Sequence, residues 1–180
     1  MRVMTWNLEW AQRREARGWF SRRFEEIQAD VMCLTELPVA MMPEVEKRLL
    51  GGPDWGYPIQ PSRRKVALWS RDGWERVDLD AGEIPGGRLV AGKSFGITFV
   101  GVCIPWRDAH VRTGRRDRAI WEDHLSFLAG LERALLPLRA LGEPVCVLGD
   151  FNQQIPRKYS PVRVFSALET CLGLGSEDGL

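Results

Sequence analysis

The feature that most constrains the fold is the stretch Val145–Asn152, VCVLGDFN, where an apolar run leads directly into polar groups. The four apolar residues Val145–Leu148 predict a short buried strand. Gly149 ends the run, and Asp150 and Asn152 follow at positions i and i+2. Because side chains alternate along an extended chain, this carboxylate and this amide point to the same side. Taken alone, the stretch also fits a strand end followed by an Asx-type turn.

Two other predicted strands end in polar groups of the same kind, which favours a functional site over a simple turn. The strand Arg2–Trp6 is followed by Asn7 and Glu9, and the strand Val31–Glu36 ends on the carboxylate of Glu36. Strand ends of this kind often carry catalytic groups on a rigid scaffold. If the three ends converge, their carboxylates and amides suit Mg²⁺ or Mn²⁺ rather than zinc. Glu36 alone also fits a solvated strand end.

Composition limits the class of protein without naming a partner. A chain of 180 residues fits one domain over residues 1–180, and 44% hydrophobic and 27% charged residues are ordinary for a soluble protein. The net charge of +1 gives no global argument for a nucleic-acid partner. The four cysteines lack C-x-x-C spacing and three lie in apolar runs, so we predict reduced, buried thiols. With neither a signal peptide nor a membrane-spanning run, we expect a soluble, cytoplasmic protein.

Apolar periodicity predicts four helices. Phe20, Phe24 and Ile27 mark the first, which leads into Asp30. Pro43, Val45 and Leu49 indicate a second helix that ends at Gly51-Gly52. A long third helix begins near Ile120, carries His124 on its apolar face as a packing residue, and closes before Gly142. The fourth is expected to start with Ser160 as N-cap and Pro161 at its first position, with Gly173 behind it.

The middle of the chain is predicted to form strands separated by turns. A hairpin is expected at Arg71–Gly73. The predicted strands are Tyr57–Gln60, Lys65–Ser70, Glu75–Asp80, Arg88–Ala91 and Ile97–Ile104. Together with the outer elements, this order predicts a layered α/β sandwich with two sheets at the centre and helices outside.

Four motifs, in this order, resemble the endonuclease/exonuclease/phosphatase superfamily: T-W-N-L-E-W at 5–10, C-L-T-E-L at 33–37, C-I-P-W at 103–106 and G-D-F-N at 149–152. That superfamily includes DNase I, the exonuclease III-type abasic-site endonucleases, neutral sphingomyelinases and inositol polyphosphate 5-phosphatases. The resemblance implies a DNase I-like four-layer α/β sandwich, in which two central mixed β-sheets are flanked by helices. It also implies a metal-dependent hydrolase of phosphodiester bonds that acts through a metal-activated water.

The resemblance also assigns roles to the polar strand ends. It implies that Glu36 is the principal ligand of Mg²⁺, with Mn²⁺ as a possible substitute. Asn7, with Glu9 beside it, would support the metal and orient neighbouring groups. Asp150 would position or deprotonate the attacking water, and Asn152 would hold the scissile phosphate.

The sequence departs from the family pattern at two places. Where the family often has a Y-x-P-N segment, this chain has Cys103 and Trp106, which puts phosphate contacts from that strand in question. Family members close with an S-D-H or I-D-H strand, whereas no histidine follows Asn152. We consider a C-terminally incomplete chain, whose exposed sheet edge could form a dimer, or a shortened relative that is inactive. His110 could approach the site, although a solvated loop histidine is the simpler interpretation.

Basic residues follow each of the three strands with polar ends, and they would form a local positive surface for an anionic substrate if those ends share one edge. Nucleic acid is the favoured substrate, and a phosphorylated small molecule or lipid headgroup is the alternative. Trp10, Trp19 and Trp106 could stack bases or serve as buried anchors. Beside Asn152, the candidate substrate contacts are Trp106, Arg112 and Arg157. A function of another class, an inactive module that binds phosphate or a partner protein, also remains open.

Overall fold

The structure is a computed structural model that describes residues 1–11, 14–154 and 159–174. The described residues form eight strands and three α-helices. In chain order these are β1 (Val3–Asn7), α1 (Arg14–Ile27), β2 (Val31–Pro38), β3 (Arg48–Leu50), β4 (Arg63–Ser70), β5 (Glu75–Arg76), β6 (Leu89–Ser94), β7 (Ile97–Cys103), α2 (Glu122–Ala140), β8 (Val145–Asp150) and α3 (Val162–Leu172).

The strands form two four-stranded sheets of mixed direction. The first has the order β1-β2-β4-β3, and the second has the order β5-β6-β7-β8. In the first sheet β1 and β2 are parallel, and in the second β7 and β8 are parallel, whereas the other neighbours are antiparallel. The predicted α/β class with two mixed sheets is therefore confirmed.

The chain forms two compact units that alternate along the sequence. The first comprises residues 1–78, 85–103 and 144–150, and it contains both sheets and α1. Of the described residues, the second comprises 79–84, 104–143, 151–154 and 159–174, and it contains α2 and α3. That residues 1–180 fold as one domain stays a prediction.

In the first unit the alternation of side chains along β2 and β4 separates two apolar clusters. One face of these strands packs against the second sheet, and the opposite face packs against Phe20, Phe24 and Ile27 of α1. The cluster between the sheets contains the buried residues Val31, Cys33, Val66, Leu68, Val90, Phe99, Cys103 and Leu148. Burial of both faces explains the continuous apolar runs of β2 and β4.

In the second unit α2 and α3 pack together through their apolar stripes. The stripe of α2 includes Phe127, Leu128 and Leu131. Gly173 directly follows α3 as its C-cap and adopts the left-handed conformation at φ 66°. The Arg139 side chain of α2 donates a hydrogen bond to the backbone carbonyl of Cys171 in α3. The first, third and fourth predicted helices are thus confirmed. Among the described residues, no helix has the length and apolar character needed to cross a membrane.

The helix predicted after Pro43 is wrong. A single 3-10 turn covers Val45–Lys47, and the following residues form β3, in which Leu49 pairs with Leu68 of β4. An i, i+4 apolar pair in so short a segment does not distinguish a helix from a strand, and pairing with β4 decided the outcome.

The turns between the middle strands also differ from expectation. No hairpin forms at Arg71–Gly73, because β4 and β5 belong to different sheets. The hairpin lies between β6 and β7, where Phe95 and Gly96 have φ values of 51° and 74°. Two positive φ values suit the two-residue turn whose twist matches a hairpin. Residues 57–60 form no strand.

The start of the last helix differs from prediction by one residue. Pro161 occupies the N-cap position, and no side chain caps the helix there. The Ser160 hydroxyl instead donates to the backbone carbonyl of Gln154. The expected serine cap is therefore wrong, because this hydroxyl is used by the preceding loop.

Candidate active site

A direct hydrogen bond joins Asn7 at the end of β1 to Asp150 at the end of β8. Asn7 Nδ2 donates to Asp150 Oδ2 over 2.7 Å, although the two strands belong to different sheets of the first unit. Asn7 Oδ1 accepts a hydrogen bond from the backbone N–H of Glu9 over 2.9 Å. These two bonds fix the orientation of the Asn7 amide, and with it the position of one oxygen of the Asp150 carboxylate.

Glu36 lies on the neighbouring strand at the same sheet edge. Asn7 pairs with Thr35 of β2, so Glu36 is one residue beyond the partner of Asn7. Its φ of 48° is unusual for a strand residue, and the pairing of β2 with β4 is interrupted at Glu36. Glu36 Oε1 accepts a hydrogen bond from Lys65 Nζ over 2.5 Å. Both side chains are partly buried, at 21% and 14% exposure, so this ion pair is only partly screened by water.

Lys65 was not among the predicted site residues. It lies on β4, opposite Glu36 in the antiparallel register that pairs Thr35 with Val66 and Leu37 with Arg64. This register depends on which strands become neighbours, so no local signal in the sequence pairs Lys65 with Glu36.

The environment of Cys103 shows that these groups converge. Cys103 ends β7 and pairs with Asp150 in the register of the second sheet. Burial raises the pKa of its thiol to about 11; the charge of Lys65 acts in the opposite direction, and those of Asp150 and Glu36 add to the rise. Charges from β2, β4 and β8 thus act on the same thiol. Asn7, Glu36 and Asp150 therefore lie at one edge of the first unit, as expected from the sequence.

Trp10 belongs to the 3-10 turn Glu9–Ala11, which directly follows β1 and contacts β2. Lys65 Nζ and Arg63 Cζ each lie 5.0 Å from the centroid of the Trp10 ring. The ring also lies against that of the buried Trp55, with a centroid separation of 5.9 Å. Glu9 in the same turn is exposed, and its backbone rather than its carboxylate contacts Asn7.

Asn152 belongs to the second unit and is held by the loop that follows β7. Its Nδ2 donates to the backbone carbonyl of Ile104 over 2.9 Å. The side-chain oxygen Oε1 of the next residue, Gln153, lies 3.1 Å from His124 Nε2. His124 Nδ1 donates a hydrogen bond to the backbone carbonyl of Pro105 over 2.8 Å. The predicted packing role of His124 is confirmed, since the residue is fully buried. Its burial lowers the pKa of the imidazole.

His110 is not the solvated loop residue expected from the sequence. It is only 3% exposed, its Nδ1 accepts a hydrogen bond from the backbone N–H of Arg115 over 3.0 Å, and its Nε2 lies 3.8 Å from Asp123 Oδ2. These contacts lie within the second unit and are structural. The basic loop folds around the imidazole, which hydropathy alone did not indicate.

The remaining predicted substrate contacts differ in their surroundings. Trp106 is 44% exposed and Arg112 is exposed, so both are accessible. Trp19 packs edge-on against Trp6 with a centroid separation of 5.4 Å, but it is 43% exposed and so is not a buried anchor. Arg157 lies outside the described residues.

The donor set of the first unit fits a hard divalent cation. Over residues 1–11, 14–154 and 159–174, no three His, Cys, Asp or Glu side chains group closely enough to hold a metal by themselves. Mg²⁺ needs only one or two carboxylates, because water and substrate phosphate oxygens complete its shell. Glu36 and the amide oxygen of Asn7 are oxygen donors of the kind that would suit such an ion, and the neighbouring Thr35 hydroxyl is buried without a hydrogen-bond partner. The set lacks the sulfur or imidazole ligands that zinc favours.

Comparisons with known proteins identify the family. The family model described as Endonuclease/Exonuclease/phosphatase family matches residues 4–162. Among solved structures, the chain is similar to the 3'-5' exonuclease NExo from Neisseria meningitidis, with a TM-score of 0.71 and 19% identity, covering 97% of this chain and 72% of that one. It is similar to an AP endonuclease from Archaeoglobus fulgidus, with a TM-score of 0.68 and 19% identity over 96% of this chain and 69% of that one.

A third similar structure is a variant form of the 3' phosphatase NExo from Neisseria, bound to a product DNA hairpin. Its TM-score is 0.69 at 17% identity, and the alignment covers 97% of this chain and 71% of that one. At these identities the structural likeness concerns the fold. No curated protein matches the sequence. Because the family model covers most of its residues, the chain belongs to the endonuclease/exonuclease/phosphatase family, whose name denotes hydrolases of phosphate esters.

Proposed function

We propose that this chain is a Mg²⁺-dependent phosphodiesterase that acts on nucleic acid, with Mn²⁺ as a possible substitute. The observation that carries this proposal is the hydrogen bond from Asn7 to Asp150, beside Glu36, at one edge of the first unit. The structure bound to a product DNA hairpin supports nucleic acid as the class of substrate.

Within this proposal Asp150 orients a water molecule and accepts its proton. Asn7 restricts the carboxylate to one orientation, so the acceptor is in place before substrate binds. Glu36 and Asn7 would hold the metal, which when bound offsets charge on the phosphoryl oxygens and lowers the pKa of a coordinated water. Lys65 adds a positive charge next to Glu36 and restricts its carboxylate in the same way.

Four further residues are proposed to bind the substrate. Asn152 is proposed to bind the scissile phosphate, and Trp106, Arg112 and Arg157 to bind the flanking parts of the substrate. The exposure of Trp106 and Arg112 supports this assignment.

A second candidate is an inactive module that binds phosphate or a partner protein. The ion pair between Lys65 and Glu36 favours it, because a lysine already neutralises the carboxylate proposed to bind the metal. Under this alternative the protein binds an anion or a partner and turns over no phosphodiester.

Hydrolysis assays separate the two candidates. Plasmid DNA and bis-p-nitrophenyl phosphate are each incubated with the protein in Mg²⁺, in Mn²⁺ or in EDTA. We expect hydrolysis with either metal and none in EDTA. Binding of nucleotide in calorimetry without any hydrolysis would instead support the inactive module.

A further inference from the structure

Arg63 and Lys65 are two cations that flank the same indole ring. They are two residues apart on β4, so their side chains lie on the same face of the strand. Each lies 5.0 Å from the centroid of the Trp10 ring. The electron-rich face of the indole attracts both cations and holds them side by side.

The two cations differ in how their charge is balanced. Lys65 pairs with Glu36. Arg63 makes no hydrogen bond or ion pair through its guanidinium with any residue in the described part of the chain, although it is only partly exposed. Contact with an indole face leaves the N–H donors of a guanidinium unused. An anion placed between Arg63 and solvent would use these donors and offset the repulsion from Lys65.

The spacing of the two cations indicates which anion would fit. The Cα atoms of residues i and i+2 of a strand are about 6.6 Å apart. This is the spacing at which β4 presents the two side chains, whose charged groups both lie 5.0 Å from the centroid of one ring. Successive phosphates of a nucleic-acid strand have a comparable separation. If the scissile phosphate lies near Glu36 and Lys65, the neighbouring phosphate of the same strand would lie near Arg63.

We infer that Arg63, held against Trp10, binds the phosphate next to the scissile one and so selects oligonucleotides over isolated phosphodiesters. The inference rests on the proposed function for the position of the scissile phosphate. A guanidinium suits this task because its fork of donors can bind two phosphate oxygens at once.

Binding tests the contact without turnover. A fluorescently labelled single-stranded oligonucleotide is titrated in EDTA at several salt concentrations, and its anisotropy gives the affinity. We expect Arg63→Gln to weaken binding about ten-fold and to reduce the slope of log affinity against log salt by about 0.7, the value for one phosphate contact on a single strand. The matched control is Arg76→Gln, which removes the same charge from an exposed arginine. Arg76 lies on β5 and pairs with Asp78, which follows the strand.

Kinetics test the selectivity. For Arg63→Gln, we expect the ratio of kcat/KM for the oligonucleotide to kcat/KM for bis-p-nitrophenyl phosphate to fall about ten-fold. Arg63→Lys, which keeps the charge, should recover part of the affinity. An equal loss of binding in Arg63→Gln and Arg76→Gln, or an unchanged ratio, would overturn the inference. If wild type hydrolyses neither substrate, the proposed function fails, and anisotropy alone decides whether Arg63 binds phosphate.

Discussion

Asn7 and Asp150 are 143 positions apart in the sequence, yet Asn7 Nδ2 lies 2.7 Å from Asp150 Oδ2. The bond connects the end of the first strand of one sheet to the end of an outer strand of the other sheet, among the described strands. Its geometry therefore depends on how the two sheets pack through the cluster that contains Cys33, Phe99 and Leu148. The position of the Asp150 carboxylate is therefore tied to the packing of this core.

Replacing Asn7 tests whether this bond matters for turnover. We expect Asn7→Ala to lower kcat at least ten-fold, because Asp150 loses the donor that orients it. The free energy of unfolding should fall by about 1.5–3 kcal/mol, the range for a hydrogen bond to a charged group. Gln28→Ala is the control, since it removes an exposed amide that donates to the Glu25 carbonyl. Equal kcat values for wild type and Asn7→Ala would contradict the proposal that Asn7 orients Asp150 for turnover.

Gly149 permits the close approach of β8 to β7. Its φ is 135°, and a Cβ atom there would lie 2.0 Å from the Val102 carbonyl oxygen. We expect Gly149→Ala to destabilise the fold by about 3 kcal/mol or more, since both strain and a backbone clash are introduced. Gly73 also has a positive φ, of 80°, but no atom lies near the added Cβ, so Gly73→Ala should cost only about 1 kcal/mol. Urea unfolding measures the free energy of unfolding of both variants. Similar losses in the two would contradict the prediction, because they would mean that the backbone around Gly149 shifts to relieve the clash.

His124 should make stability depend on pH. Burial lowers the pKa of its imidazole below the ordinary value of 6.5, so between the two pKa values the unfolded chain binds more protons than the folded one. The contribution of His124 is thus complete above pH 6.5 and is lost as pH falls below it. We expect the free energy of unfolding, measured in urea, to decline less steeply below pH 6.5 in His124→Gln than in wild type. Parallel curves for the two proteins would exclude this role.

The strand ends were predictable because the relevant signal is local. An apolar run followed by a carboxylate or an amide marks β2 and β8, and the periodicity of apolar residues marks α1, α2 and α3. These patterns placed Asp150 at the end of β8 without knowledge of the sheet order, whereas the predicted end of β2 at Glu36 is two residues short, because β2 continues to Pro38.

The partners of those groups were not predictable, because they depend on register. Lys65 contacts Glu36 because β4 pairs with β2, and the same pairing brings Arg63 of β4 to Trp10. The strand β3 has only three residues, and its identity follows from its pairing with β4 rather than from its own sequence. Burial of His110 likewise follows from the path of a basic loop whose composition indicates exposure.

The most direct test of the proposed centre is the metal-dependent rate of bis-p-nitrophenyl phosphate hydrolysis by wild type, Glu36→Gln and Asp150→Asn. Glu75→Gln, at an exposed position of β5, serves as the matched control. We expect both site variants to lose at least a hundred-fold in kcat/KM with Mg²⁺ and the control to retain the wild-type value, since removing one catalytic group typically costs about 10²–10⁴-fold. Wild-type rates in Glu36→Gln and Asp150→Asn would contradict the proposal that these two carboxylates form the catalytic centre.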